Sequence, residues 1–494
     1  MRKEWFLEQS PWEIAEQQIQ QNKLGKVVAI CIQAILGQGS TAATVKEAAE
    51  TWFSRLAVCF GKMSSQSSLE RHSALSAIAH FETGLIARVF IDAVPMGLSG
   101  SLDFEVIGTR NSLIYRSNKG LSCWFTKRAA EGFAGQIMSL DIASSDLQKV
   151  PKGPGSAIKL GVIGLDHPHA TGNHFPALDQ IRDAVSVAAI AHQNKKESRK
   201  WIEHFQAKNY SSRDELLSDK EIEAVLITSK NCNHAADAIA SANAGKDVLC
   251  DKPIATSIEQ TLAIVEACNK NHIRFVTTYP LRFHPAIAQL KAIIARGEFG
   301  EIQAAMATNH GCMYEPGAPA WVKDPAQNGG GCIIDHTVHV ADILRFLTGK
   351  EFLSVRTFAE SAWSGIPAED IAVCHGEMTG GTIYQIDCSW SRKPRDPCWG
   401  DVTMRIIGER GSACFDLYNN YKIELYTPKG IEYRYSNSLS HQHGMIFLDY
   451  KKEKSSGVKS INANEVDGLR TMELVFASYE SHRLNREVKV ELHT

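Results

Sequence analysis

Residues 224–256 read AVLITSKNCNHAADAIASANAGKDVLCDKPIAT, and this stretch decides the fold class. An apolar strand over Ala224–Thr228 enters a polar loop, a helical pattern covers His234–Ala244, and Gly245 closes it. A second apolar strand, Asp247–Cys250, then delivers Asp251-Lys252-Pro253. Strand, helix and strand at this spacing make a parallel crossover unit. The alternation extends both ways, with strands expected at Ile158–Ile163, Val185–Ala191 and Arg274–Thr278 and a helix over Ile258–Asn269. The expected fold is α/β: a Rossmann-type doubly wound parallel sheet, joined to an α+β substrate domain with a large open mixed sheet.

In such a sheet, ligands bind outside the carboxyl ends of the strands. Lys252 stands at one of those ends, and Pro253 restricts the backbone that aims it. An isolated lysine there is more often simply solvated, so its neighbours decide its meaning. Residues 159–172, KLGVIGLDHPHATG, run from a strand through Gly164 into a helix, which places backbone N–H groups where a pyrophosphate can bind. Only Gly164 fits the G-x-G-x-x-G pattern; Asp166 and His169 hold the other two glycine positions.

Residues 328–349, NGGGCIIDHTVHVADILRFLTG, begin with three glycines and continue as a helix. Asp335 and His339 lie four apart, on one helical face. A carboxylate beside an imidazole orients the ring and stabilises its charged form, the arrangement of an acid–base pair.

Taken together these segments resemble the Gfo/Idh/MocA oxidoreductase family over roughly residues 158–494. The carriers are Ala244-Gly245-Lys246-Asp247-Val248-Leu249-Cys250-Asp251-Lys252-Pro253-Ile254-Ala255 and the set Gly329, Gly330, Gly331, Asp335, His339 and Asp342. Thr337 stands where that family usually has glycine. Tyr279, Arg282, Phe283 and Pro285 resemble its crossing between domains, and Glu473–Ser481 its last helix. The resemblance implies hydride transfer between NAD or NADP and a secondary hydroxyl or carbonyl of a sugar, inositol or related polyol. Lys252, Asp335 and His339 would then be catalytic. Gly164, Leu165, Asp166, His167, His192, Thr228, Ser229, His234, Asp251, Lys252 and Pro253 would line the cofactor. Arg282, Tyr279, Trp321, Asp335 and His339 would meet substrate. His192 occupies the place where NAD-preferring relatives often carry an acid, and Lys195 and Lys196 follow it, so both cofactors stay open. The altered glycine loop also leaves two alternatives: a redox-inactive ligand-binding protein, or an NAD-dependent glycosidase-like enzyme.

The break KGPGSA at 152–157 divides the chain into residues 1–151, a linker, a dinucleotide-binding domain at 158–283 and a substrate domain at 284–494. Residues 1–151 echo the last of these. Lys23–Val27 reads like Glu298–Ile302, His80-Phe81-Glu82 like His375-Gly376-Glu377, and Phe104–Arg110 like Met404–Arg410. Three matches in one order suggest a duplicated, smaller α+β module. Aligning Gly61-Lys62 with Gly349-Lys350 sets Glu47 opposite Asp335 and Thr51 opposite His339, so the acid–base pair is missing from that copy. The expected role is structural, covering the open sheet as an intramolecular pseudo-dimer, with homo-oligomerisation through that sheet as the other possibility.

Composition bounds the rest. With 44% hydrophobic and 22% charged residues, 494 residues suit two or three globular domains. A net charge of -2 argues against a nucleic-acid partner. No apolar run reaches the roughly 18 residues of a membrane helix, and the N-terminal stretch is not a signal peptide. The twelve cysteines form no CxxC pair, which suggests reduced thiols in the cytoplasm and no metal-ligand spacing.

Overall fold

The structure is a computed structural model. It describes residues 157–493, apart from 313–318, 363–364, 393–399, 417–421, 428–429 and 436–441, and the backbone of seven strands within residues 27–139. Glu47 and Thr51 lie outside the described residues.

The seven strands are β1 (Val27–Leu36), β2 (Met63–Arg71), β3 (Ala74–Phe81), β4 (Ile86–Ala93), β5 (Leu102–Gly108), β6 (Ser112–Tyr115) and β7 (Ile137–Ser139). The first six form one sheet in the order β2-β3-β4-β1-β5-β6.

The nucleotide-domain strands are β8 (Ile158–Ile163), β9 (Val185–Ala191), β10 (Lys208–Tyr210), β11 (Ala224–Ile227), β12 (Asp247–Cys250) and β13 (Phe275–Thr277). They are all parallel, in the order β10-β9-β8-β11-β12-β13. The chain reverses its winding direction between β8 and β11, which opens a crevice at the carboxyl ends of those two strands. Helices cover both faces, so β11 and β12 are buried along their whole length and read as unbroken apolar runs. Local signals set the helix ends. Ser257 caps helix Ile258–Asn271 by accepting from the Gln260 amide, and Asn464 and Asp467 form a capping box on helix Glu465–Leu484.

The third sheet contains β14 (Ile302–Gly311), β15 (Ser354–Glu360), β16 (Ile371–Met378), β17 (Thr382–Asp387), β18 (Gly400–Gly408), β19 (Ser412–Asp416), β20 (Lys422–Thr427), β21 (Gly430–Tyr435) and β22 (Val488–Lys489). With β7 at its far edge, the order is β22-β15-β16-β17-β14-β18-β19-β20-β21-β7. Side chains alternate along β14. Ala305 and Ala307 join the main core, which includes helix Cys332–Thr348, whereas Ala304 and Met306 join Ile383 and Ile407 in a separate buried cluster.

Strand order and direction in the first sheet repeat those of β15-β16-β17-β14-β18-β19. In each, the central strand pairs parallel on one side and antiparallel on the other. In both, the antiparallel pairing of the central strand shifts register at the same place, after Val27 opposite Gly108 and after Ile302 opposite Gly408. Through these pairings His80 falls level with Glu377, two residues from the position of His375 in the sequence match. Strands β2 and β3 lie against β16 and β17.

Candidate active site

Gly164, at the end of β8, has φ +79°, and a Cβ there would lie 2.5 Å from Ser229 Cα. The loops after β8 and β11 therefore cross too closely for any side chain. They are also bonded together: Thr228 Oγ1 donates to the Gly164 carbonyl at 2.7 Å, and the His167 amide to the Thr228 carbonyl at 3.0 Å. The Leu165 amide donates to His192 Nδ1 at 3.2 Å, and His192 Nε2 faces Glu197 Oε2 at 3.2 Å. Ser229 Oγ donates to Asp237 at 2.6 Å. His234, buried, spans from the Ser229 carbonyl at 2.9 Å to the Pro253 carbonyl at 2.7 Å, locking the ends of β11 and β12 together.

Lys252 leaves the end of β12 and crosses to the other domain. Its Nζ donates to the Asp335 carbonyl at 3.0 Å and to Asp335 Oδ1 at 2.5 Å. Asp335 Oδ2 accepts from Trp390 Nε1 at 3.0 Å and faces His336 Nε2 at 3.2 Å. Burial pushes the Asp335 carboxyl up, but the Lys252 and His336 charges outweigh it and hold it well below the usual range. The triple glycine permits this approach. A Cβ on Gly330 would overlap Tyr479 Oη, and one on Gly331 would overlap the Glu369 carbonyl, so helix Cys332–Thr348 begins packed directly on those groups.

One turn after Asp335, the His339 ring packs against Tyr279 with centroids 6.0 Å apart. Burial pushes the His339 imidazole well below its ordinary value; Lys252 and His336 reinforce this, and Asp335 opposes it. His339 is therefore neutral near pH 7, and its Nδ1 carries no hydrogen bond.

The remaining expected residues occupy different surroundings. Trp321 is at the domain junction, donating from Nε1 to the Asp166 carbonyl at 3.2 Å, its ring 5.6 Å from His167. Arg282 is buried, with donors directed to Asp342, Asp467 and the Ile461 carbonyl. Tyr279 bonds Thr471 Oγ1 at 2.8 Å and is buried. Both join the Pro280–Phe283 turn to the long helices rather than presenting polar groups beside Lys252.

Sequence reasoning missed Trp390 and His336, which complete the Asp335 environment. Trp390 follows a strand far along the chain, and no local spacing links it to Asp335. It also missed a cluster. His167, His169 and Asp251 bring potential metal-ligand atoms within 4.8 Å of one another, contrary to the expectation of no metal-ligand arrangement. The H-x-H spacing on one loop was the available signal.

Comparison with known proteins places the two halves separately. Residues 158–279 match the oxidoreductase family, NAD-binding Rossmann fold, and residues 287–414 match the Gfo/Idh/MocA C-terminal domain. Inositol 2-dehydrogenase from Salmonella typhimurium is 30% identical over 264 residues, covering 52% of this chain and 71% of that protein. The chain belongs to the Gfo/Idh/MocA oxidoreductase family. Myo-inositol 2-dehydrogenase from Thermotoga maritima is 26% identical over 344 residues, covering 68% of this family member and 99% of the relative. The solved complex of levoglucosan dehydrogenase with NADH and levoglucosan has a TM-score of 0.62 at 21% identity. It covers 68% of this chain and 100% of its own. Both family-model matches begin after residue 157, so β1–β7 lie outside them.

The Gfo/Idh/MocA assignment makes this chain an oxidoreductase with a nicotinamide-dinucleotide domain. The residues present fit that cofactor: Gly164 supplies the close turn, and the crevice lies between the β8 and β11 ends. Among the described residues, no helix is long and apolar enough to cross a membrane.

Proposed function

We propose that the protein oxidises a secondary hydroxyl of a sugar, inositol or related polyol, or reduces the matching carbonyl, with Lys252, Asp335 and His339 as its working groups. The Lys252–Asp335 bond between the two domains carries this reading. When bound, the nicotinamide supplies the hydride acceptor or donor. Lys252 has three N–H donors and spends two on Asp335, which leaves one for a substrate oxygen. Asp335 is a positioning residue, since both its oxygens are engaged and it stays ionised. His339, neutral and with Nδ1 unbonded, takes the hydroxyl proton during oxidation and returns it during reduction.

NAD is favoured over NADP. Glu197 beside His192 supplies, at the end of β9, the acid that residue 192 lacks, and it can accept ribose hydroxyls. Titration by nicotinamide fluorescence should give tighter binding of NADH than of NADPH, followed by substrate-dependent NADH formation across a panel of inositols and sugars. Binding of neither dinucleotide overturns the reading. Retained cofactor with release of a free sugar would assign the glycosidase-like chemistry instead.

We infer that residues 1–151 are a second copy of the substrate-domain sheet, held within the chain as the counterpart of a subunit. The repeated strand order and register shift support the copy. The contact of β2 and β3 with β16 and β17, on a sheet whose second face buries Ala304, Met306, Ile383 and Ile407, supports the covering role. Removing residues 1–151 should expose that apolar face and produce self-association or aggregation in sedimentation. A truncated chain that stays soluble with unchanged sedimentation behaviour would dismiss the idea.

A further inference from the structure

Three imidazoles from the loop and turn after β8 converge on one carboxylate oxygen at the end of β12. His169 Nδ1 lies 3.2 Å from Asp251 Oδ2, His167 Nδ1 3.5 Å and His174 Nε2 3.6 Å. The other oxygen, Oδ1, already accepts from the Lys252 amide at 2.8 Å and Thr278 Oγ1 at 3.1 Å, so Asp251 is anchored without the histidines. His174 is the telling member. It is fully buried, and neither ring nitrogen has a hydrogen-bond partner, although Nε2 points toward the carboxylate. Burying such a group unsatisfied is costly unless something else occupies the space between.

We propose that His167, His169, His174 and Asp251 form a binding site for one divalent transition-metal ion of the zinc, cobalt or nickel class. Ligands about 2.0–2.1 Å from a tetrahedral ion stand roughly 3.3–3.4 Å from each other. The three nitrogen–oxygen separations here bracket that value. Imidazole donors select such ions over magnesium and calcium, which prefer oxygen-rich shells. His167 Nδ1 also accepts from the His169 amide at 3.2 Å, and ligation exchanges that bond for the ion. His443 packs edge-on to His174 at 5.0 Å as a supporting ring outside the ligand set. The ion ties the loop after β8 to the strand end that presents Lys252, fixing the two sides of the crevice relative to each other.

The full-length protein, stripped with a chelator, should bind one equivalent of Co²⁺ or Zn²⁺ by calorimetry. Co²⁺ should give the intense visible absorption of a tetrahedral site, and Mg²⁺ and Ca²⁺ should give neither signal. His174→Asn and His169→Ala should each abolish the Co²⁺ band and the stoichiometric uptake. His169 is partly exposed, so its variant folds even if the buried His174 change does not. Absence of stoichiometric binding in the unmodified protein, or a Co²⁺ band that persists in His169→Ala, overturns the site. Because the readout is metal uptake rather than turnover, its failure leaves the dehydrogenase reading untouched.

Discussion

Replacing Lys252 with methionine is expected to lower kcat/KM by about 10²–10⁴-fold, the range for losing a positioned proton-transfer or hydrogen-bonding group. The variant also loses stability. Lys252 is 4% exposed and paired with Asp335, so its removal leaves a nearly buried carboxylate facing only Trp390 and His336. Removing one partner of such a pair typically costs about 3–5 kcal/mol. Thermal denaturation should therefore show a clear drop. The double variant Lys252→Met/Asp335→Leu separates the two effects, because removing the unpaired carboxylate recovers part of the lost stability, short of what the orphaned Trp390 N–H costs, while activity stays lost. Turnover within tenfold of the parent in Lys252→Met would remove the lysine from the chemistry.

Substituting His339 by asparagine should reduce turnover by about 10²-fold or more and change the pH profile. Burial, then the Lys252 charge, keeps the imidazole neutral in the folded protein, whereas the unfolded chain titrates at about 6.5. The acid limb of kcat/KM therefore lies well below pH 6.5 in the parent and disappears in the variant. For stability, the unfolded state binds more protons below pH 6.5, so this contribution is present above that value and lost as pH falls. His336 and His284, each pushed down to about 4 chiefly by burial, act in the same direction. His310 is opposite. Burial lowers it, but Asp401 and Asp387 raise it to about 10, so its contribution is full below pH 6.5 and lost as pH rises through 10. Denaturant titrations across pH should show a shallower acid slope for His339→Asn. An unchanged slope with unchanged activity would sink the assignment.

Which features were readable from sequence follows from the range of the interactions. Strands β8, β9 and β12 fall where the apolar runs place them, because parallel strands buried on both faces leave continuous hydrophobic stretches. The short β10 escaped notice because Lys208–Tyr210 is polar and exposed at the sheet edge. Asp335 and His339 could be paired from their helical spacing. Arg282 was expected at the substrate but is enclosed by Asp342 and Asp467, because a basic residue at a domain crossing reads alike in sequence in either place.

By itself the sequence determined the alternation of strands and helices and the glycine crossing at Gly164, which rest on local periodicity and backbone sterics; Lys252, Asp335 and His339 stood out through the resemblance to the family. Tertiary structure alone decided that Lys252 meets Asp335, that Trp390 and His336 complete that carboxylate's shell, and that three histidines surround Asp251. The reason is separation along the chain. Lys252 and Asp335 are 83 residues apart, and His169 and Asp251 are 82 apart, so only the packing of whole sheets and helices sets their distances.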